Sequence, residues 1–341
     1  MNLAHIKCLS MLLGALCTVQ TVCLSKLAAV FDTKASRESS FRRIQRFMAQ
    51  MVLDLDAVAR YQKSRIPFDG PYTLTMDRTN WKFGEVNINV LVLGISCDHM
   101  SFPILFRLLP KRANSNSKER INIVERFIRL FGRDSIKCLV ADREFVGNEW
   151  FKWLNDNSIQ YHIRIRDNFW VEDPRTGRKV RAQHIFADLK HGQERILHRI
   201  YRVCGELCYL SGAVIKHKTG KPEPQILVSF CRPEEALRPT RRQWTIEIMF
   251  KGLKSSGFNI EDTHMVHINR IGQLFGVVII AYTWAYLVGI AANIKVKAVR
   301  ILNNGRRAIS LVKYGLNFIA DTLLNPFRTT KINVFDFLSC T

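Results

Sequence analysis

Three acidic residues occupy settings that a metal-dependent phosphoryl-transfer site requires. Asp77 closes the alternating run Tyr72-Thr73-Leu74-Thr75-Met76, and Asp142 closes the apolar run Cys138-Leu139-Val140-Ala141. Glu247 lies in a helical stretch, Trp244-Thr245-Ile246-Glu247. Carboxylate oxygens are the hard ligands magnesium prefers, and the ion takes one or two of them together with substrate phosphate. Carboxylates at the ends of neighbouring strands, closed by a third from a helix, could hold two such ions about 3.5–4 Å apart. One ion would activate the attacking oxygen and the other would stabilise the leaving oxygen. A single Asp at a strand end is more simply a turn or capping residue. Two in matching slots, with a helical Glu, are harder to obtain by chance. Lys254 lies two helical turns beyond Glu247, so the two share a face. An ammonium there would hold a phosphate beside the metal, although Glu and Lys on one helix face are also common as a solvated pair.

The elements that must position these residues follow a definite order. Tyr72 to Asp77, Val86 to Ile95 and Phe102 to Leu108 read as strands with short connections, an antiparallel meander. Glu119 to Leu130 has helical spacing of Ile121, Ile123, Val124, Phe127, Ile128 and Leu130. Ile136 to Ala141 is apolar throughout, as a strand buried on both faces is. A helix over Gly147 to Leu154 and a strand over Tyr161 to Ile165 follow. Three antiparallel strands and then α-β-α-β is the ribonuclease H-like order, in which strands one and four are neighbours. Residues 167–232 break the pattern. Strands are expected over Arg195 to Val203, Leu207 to Lys216 and Gln225 to Cys231, with a basic hairpin tip over Lys216 to Pro224. The fold class is therefore α/β: a ribonuclease H-like core with a β-rich insertion and a helical N-terminal region.

Composition narrows the partners. The net charge is +22 with 47% hydrophobic residues, which favours a polyanionic partner and excludes global disorder. The nine cysteines are scattered, without zinc-ligand spacing, and suit a reducing cytoplasm. Met11 to Cys17 imitates a signal-peptide core, but Thr18, Gln20 and Thr21 interrupt it, and a buried helix is expected. Ile271 to Ile294 carries no charge and is long enough to span a bilayer. Gln273, Tyr282, Thr283, Trp284, Tyr286 and three glycines make a central buried helix the better expectation.

Ser39 or Ser40 is expected to cap a helix in which Phe41, Ile44, Met48 and Met51 share one face while Arg42, Arg43 and Arg46 point elsewhere. Helix, turn and arginine-faced helix are compatible with DNA docking, and equally with the solvated face of a small bundle. Trp170, at the start of the insertion, is either a hairpin aromatic or a platform for an unpaired base.

The segments Thr75-Met76-Asp77-Arg78-Thr79-Asn80-Trp81, Val140-Ala141-Asp142-Arg143-Glu144-Phe145, and Trp244 to Glu247 through Lys254, Gly257-Phe258 and Glu261-Asp262-Thr263-His264 together resemble bacterial insertion-sequence transposases of the DDE class. The similarity covers nearly the whole chain, including Arg42-Arg43-Ile44-Gln45-Arg46-Phe47, and points to the branch with a β-strand insertion between the second Asp and the Glu. It implies cut-and-paste DNA transposition, with Asp77, Asp142 and Glu247 as ligands of magnesium, for which manganese substitutes. Lys254 would be catalytic and DNA-binding, with Arg42, Arg43, Arg46, Arg143 and Trp170 as further DNA contacts. The implied partners are double-stranded DNA with terminal inverted repeats, target DNA, and a second copy in a synaptic dimer. No membrane is implied, and the expected setting is a bacterial cytoplasm, at the nucleoid. The divisions implied are a basic DNA-binding region over 1–65, core over 66–166, insertion over 167–232, core over 233–295 and a helical tail over 296–341. One departure stands out. The branch carries Tyr-x-x-Arg-x-x-x-Glu before the Lys, and here Thr240 and Gln243 fill the first two slots. Pro239 is expected to start that helix. A non-catalytic DNA-binding remnant is accordingly the alternative reading.

Overall fold

The computed structural model describes residues 3–31, 34–97, 100–216, 222–231, 233–303, 305–327 and 329–338, with backbone alone for 215, 216, 222 and 237–244. In chain order the elements are α1 (Leu3–Val19), α2 (Leu24–Ala29), α3 (Arg37–Gln50), α4 (Leu55–Ser64), β1 (Tyr72–Phe83), β2 (Val86–Cys97), β3 (Met100–Leu109), α5 (Ser117–Phe131), β4 (Ile136–Ala141), α6 (Asn148–Asp156) and β5 (Tyr161–Ile165). Then come β6 (Trp170–Glu172), β7 (Lys179–Arg181), α7 (Ala182–Ile185), β8 (Glu194–Val203), β9 (Glu206–Lys216), β10 (Pro222–Ser229), α8 (Leu237–Leu253), α9 (Ile268–Lys295) and α10 (Leu311–Leu324). The basic hairpin tip expected between β9 and β10 lies largely outside the described residues.

Two compact units form. One comprises residues 66–79 and 90–248, the other residues 1–65, 80–89 and 249–341. In the first, the strand order β3-β2-β1-β4-β5 is the ribonuclease H-like arrangement expected from the sequence. β1 runs parallel to β4, and β4 parallel to β5. β4 is central and apolar because it has neighbours on both sides and helices to bury against: Cys138, Leu139, Val140 and Ala141 are wholly inaccessible. α5 begins with a complete capping box, the Asn116 side chain accepting from the Glu119 N–H and Glu119 reaching back to the Asn116 N–H. Its Ile123, Val124 and Phe127 are buried, each contributing about 1.5–3 kcal/mol of apolar transfer.

The insertion is β-rich, as its alternation indicates, and it does not fold apart from the core. β10 pairs antiparallel with β5, β9 with β10 and β8 with β9, so ten strands form one sheet. Hairpin pairing between β8 and β9 uses the tight turn at Cys204 and Gly205, both at positive φ.

The other unit is helical. α9 is long and apolar enough to cross a membrane by length and composition, yet most of it is buried inside its unit. Several of its polar groups are met from within: Gln273 Oε1 accepts the Leu53 N–H at 2.7 Å, and Trp284 Nε1 donates to the Val334 carbonyl at 2.7 Å. Gln62, itself inaccessible, bridges the Ile279 carbonyl and the Thr283 hydroxyl. The start of α3 differs from expectation. Ser36, not Ser39 or Ser40, is the cap and accepts from the Ser39 N–H, while Ser40 is already buried within the helix. α8 also starts two residues early, placing Pro239 inside its first turn, where the missing N–H has no intrahelical partner to lose.

Candidate active site

The parallel register between β1 and β4 places Thr75 beside Val140 and Met76 beside Ala141. The next residue on each strand is the acid, so Asp77 and Asp142 leave the ladder together. β4 ends there, but β1 does not. It runs on to Phe83 as one arm of the hairpin with β2, so Asp77 lies within a strand and not at its tip. What ends at Asp77 is the pairing with β4.

Asp142 enters a 3-10 turn, Arg143–Phe145, at the capping position, and its side chain accepts no capping hydrogen bond. Its carboxylate is therefore not spent on the turn; the Asp142 carbonyl takes the Phe145 N–H instead, at 2.9 Å. Asp77 Oδ1 accepts the Arg78 N–H at 2.7 Å. Glu247 is exposed on α8, while Ile246, Met249, Phe250 and Leu253 are buried, the apolar side anticipated for that helix. Thr245, one turn-side neighbour, donates to Ser96 Oγ on β2 at 3.3 Å and fixes the rotation of α8 at this point.

Electrostatics tie the acids together. Burial, with the negative charges of Glu144, Asp142 and Glu247, pushes the Asp77 carboxyl up to about 7 against the opposing pull of the Arg78 N–H. Asp77 thus feels Asp142 and Glu247 at once, and the three residues singled out in the sequence share one neighbourhood. Among the described residues no three His, Cys, Asp or Glu side chains stand at caging distance. The like charges of Asp142 and Glu247 disfavour ionisation of Asp77, and a proton or a cation relieves that repulsion. An all-oxygen, charge-crowded set of this kind fits a hard divalent cation.

Further residues around the acids were not singled out for the site by the sequence. Glu144 is gripped by the Arg78 guanidinium, Nε to Oε1 at 3.1 Å and Nη2 to Oε2 at 3.2 Å. Arg78 also donates to Asn114 Oδ1 at 2.7 Å. Arg120, only 4% exposed, donates to the Glu144 carbonyl at 2.9 Å and to the Ser115 carbonyl at 2.5 Å. The available signal was the arrangement of charge: an Arg directly after Asp77, and an acid two residues after Asp142.

The remaining candidates are distributed. Lys254 forms an ion pair with Glu261 at 2.6 Å and donates to the Asn80 carbonyl at 3.4 Å. Arg143 is exposed on the turn after Asp142. Arg42 and Arg46 are exposed on successive turns of α3, but Arg43 is half-buried, with its charge acting on the Cys8 thiol. Trp170 is half-exposed on β6, with the guanidinium of its cross-strand partner Arg181 lying 3.9 Å from the ring centre. One of its faces is thereby covered. The side chains of Thr240 and Gln243 lie outside the described residues.

The family of the transposase DDE domain matches residues 68–284, well over half of the chain. The chain belongs to this family of DDE transposases. No curated protein sequence is significantly similar to it. Among solved structures it is similar to a piggyBac transposase, seen by cryo-EM in a synaptic complex with hairpin DNA, at 12% identity and a TM-score of 0.47, covering 98% of this chain and 75% of that one.

Proposed function

We propose that this chain cleaves DNA at the ends of a mobile element and joins the freed ends to target DNA, with Asp77, Asp142 and Glu247 holding divalent metal, magnesium or manganese. The observation that carries this reading is that Asp77 and Asp142 follow paired positions of the adjacent parallel strands β1 and β4, with the charges of Asp142 and of Glu247 on α8 both acting on the Asp77 carboxyl. Bound divalent ions supply charge neutralisation at the scissile phosphate and acidify the attacking water. The chain's own residues position. Asp77 and Asp142 leave adjacent strands in register, and α8 carries Glu247 toward them with its rotation set by Thr245. Lys254 and Arg143 would take DNA phosphates, and Trp170 would offer its open face to an unpaired base.

The +22 charge supports DNA as the partner, with Arg42 and Arg46 on α3 as exposed phosphate contacts in the N-terminal region, at the nucleoid of a bacterial cell. Arg43 is better suited to holding α3 on α1. Terminal inverted repeats would be the cleaved substrate, and two copies would pair the two ends. Thr240 and Gln243 supply neither the phenol nor the cation of the branch that the chain resembles, and glutamine carries no charge to fork onto phosphate. Slow cleavage is the expected consequence.

Incubating the purified protein with duplexes carrying the element's own termini tests the reading. Magnesium- or manganese-dependent nicking is expected, and it should vanish in Asp77→Ala, Asp142→Ala and Glu247→Ala while DNA binding persists. Nicking that survives any of the three substitutions would refute the assignment. End binding without cleavage under any metal would identify the DNA-binding remnant instead.

A further inference from the structure

Asp77 and Asp142 sit on separate segments, and only Asp77 lies inside a strand. Asp142 begins a turn whose place depends on what holds the turn. Two arginines hold it from opposite sides. Arg78, immediately after Asp77 on β1, clasps the Glu144 carboxylate with two parallel hydrogen bonds and at the same time binds Asn114, just ahead of α5. Its side chain is 12% exposed, so the pair is shielded from solvent and salt. Arg120, from the first turns of α5, reaches the backbone of the same turn through the carbonyls of Glu144 and Val146, at 2.9 and 3.5 Å. It is steadied by Ser115 Oγ at 3.0 Å and lies over the ring of Phe145, its centre 5.1 Å away. Phe145 is wholly buried, so the turn is also anchored from below.

We infer that Arg78, Glu144 and Arg120 form a clamp that sets the spacing between Asp77 and Asp142, and that Arg78 keeps Glu144 from competing as an additional ligand. The inference rests on the proposed metal site. All three are positioning residues: their contacts are to one another, to Asn114, Ser115 and Phe145, and to backbone, around the turn that follows Asp142. A planar guanidinium fork is what fixes both the distance and the angle of a carboxylate, which an ammonium cannot do. Residues that orient metal-binding side chains in this manner typically change metal affinity or activity about 10- to 100-fold when lost.

Direct manganese binding to the full chain, read by electron paramagnetic resonance of the free ion, tests the clamp without needing turnover. Glu144→Gln and Arg78→Lys should each weaken binding by about 10-fold or more. Their melting temperatures and DNA affinity should stay near those of the unaltered protein. The exchanged pair, Arg78→Glu with Glu144→Arg, should recover much of the lost affinity, which a merely structural role would not produce. Asp77→Asn and Asp142→Asn are the controls for the site. If they abolish manganese binding while Glu144→Gln and Arg78→Lys leave it unchanged, the clamp is wrong and the site stands. If the unaltered chain binds no manganese, or the two Asn variants bind it as well as the unaltered chain does, both ideas fall. Loss of affinity that merely follows loss of melting temperature, with no recovery in the exchanged pair, also overturns the clamp.

Discussion

The Lys254 ammonium and the Glu261 carboxylate are 2.6 Å apart, an ion pair left partly open to solvent, with the Lys side chain 26% and the Glu side chain 43% exposed. In the proposed function Lys254 binds a DNA phosphate, and a phosphate must then displace Glu261. Partly exposed pairs contribute about 1 kcal/mol or less. Glu261→Gln should therefore tighten DNA binding by up to about fivefold. Lys254→Gln should weaken it and lower the slope of log K against log salt by about 0.9. Fluorescence anisotropy across a salt series checks both, and an unchanged affinity in Glu261→Gln would remove the carboxylate from any role in DNA binding.

Asp77 makes stability fall as pH rises. Its folded value, about 7, lies above the unfolded value near 4, so between these limits the folded protein binds the extra proton and unfolding releases it. The penalty is absent below about pH 4 and complete above about pH 7. Asp77→Asn should leave the melting temperature little changed at pH 4 and raise it at pH 8, by about 2–4 °C for each kcal/mol relieved. Scanning calorimetry at both pH values decides. An equal effect at pH 4 and pH 8 would show that the carboxyl is not the strained group.

His162 works in the opposite direction. It is wholly inaccessible on β5, its Nδ1 is 2.8 Å from Ser229 Oγ on the paired strand β10, and burial, aided by the Lys137 charge, lowers it to about 4. The unfolded chain takes up a proton near pH 6.5 that the folded chain refuses until about pH 4. Stability is thus present above pH 6.5 and is lost as pH falls toward 4. His162→Gln should lower stability at pH 7 but flatten this acid limb in urea unfolding. A limb as steep as before would assign it to other groups.

α9 and α10 meet at backbone distance. A Cβ on Gly289 would lie 2.0 Å from the Leu311 carbonyl oxygen, and one on Gly315 would lie 1.7 Å from that of Ala285. Backbone cannot yield as a flexible side chain does, so Gly289→Ala and Gly315→Ala should each force the helices apart. Overpacking of this kind costs about 1–3 kcal/mol or more. Thermal melts of both variants should shift downward, and Gly14→Ala, where a Cβ on α1 would meet only the Leu323 side chain at an ordinary 3.6 Å, separates crowding from a general loss of glycine. Normal melting of Gly315→Ala would mean that the two helices are not so close.

Much of the core was legible because its signals are local. The apolar run Cys138 to Ala141 could only be an interior strand, and Ile246, Met249, Phe250 and Leu253 named the buried side of α8 by spacing alone. Asp77 was legible as a candidate but placed at a strand end, because alternation weakens after Met76 where the β4 neighbour stops while the β2 neighbour continues. The cap of α3 was misplaced because Ser36, Ser39 and Ser40 are chemically equivalent, and only the fold says which one precedes the helix. The pairing of β5 with β10 and the grip of Arg78 on Glu144 join residues more than sixty positions apart, and nothing in either segment announces the other. Arg43 looked like its neighbours Arg42 and Arg46 until its approach to Cys8 separated it from them.

The burial of α9 has a consequence for how the chain is made. Synthesis runs from the N-terminus, and domains acquire structure as they emerge. The segments that supply Leu53 and Gln62 to α9 are therefore made before α9 leaves the ribosome, while α10 and the Val334 carbonyl that receives the Trp284 indole come after it. For the time needed to translate that later stretch, a helix free of charge from Ile271 to Ile294 waits half-covered. A nascent chain stalled or cut before Leu311 would keep that greasy surface open, attracting chaperones, other copies and bilayers alike. The segment after α9 is thus what closes over a surface that would otherwise stay adhesive.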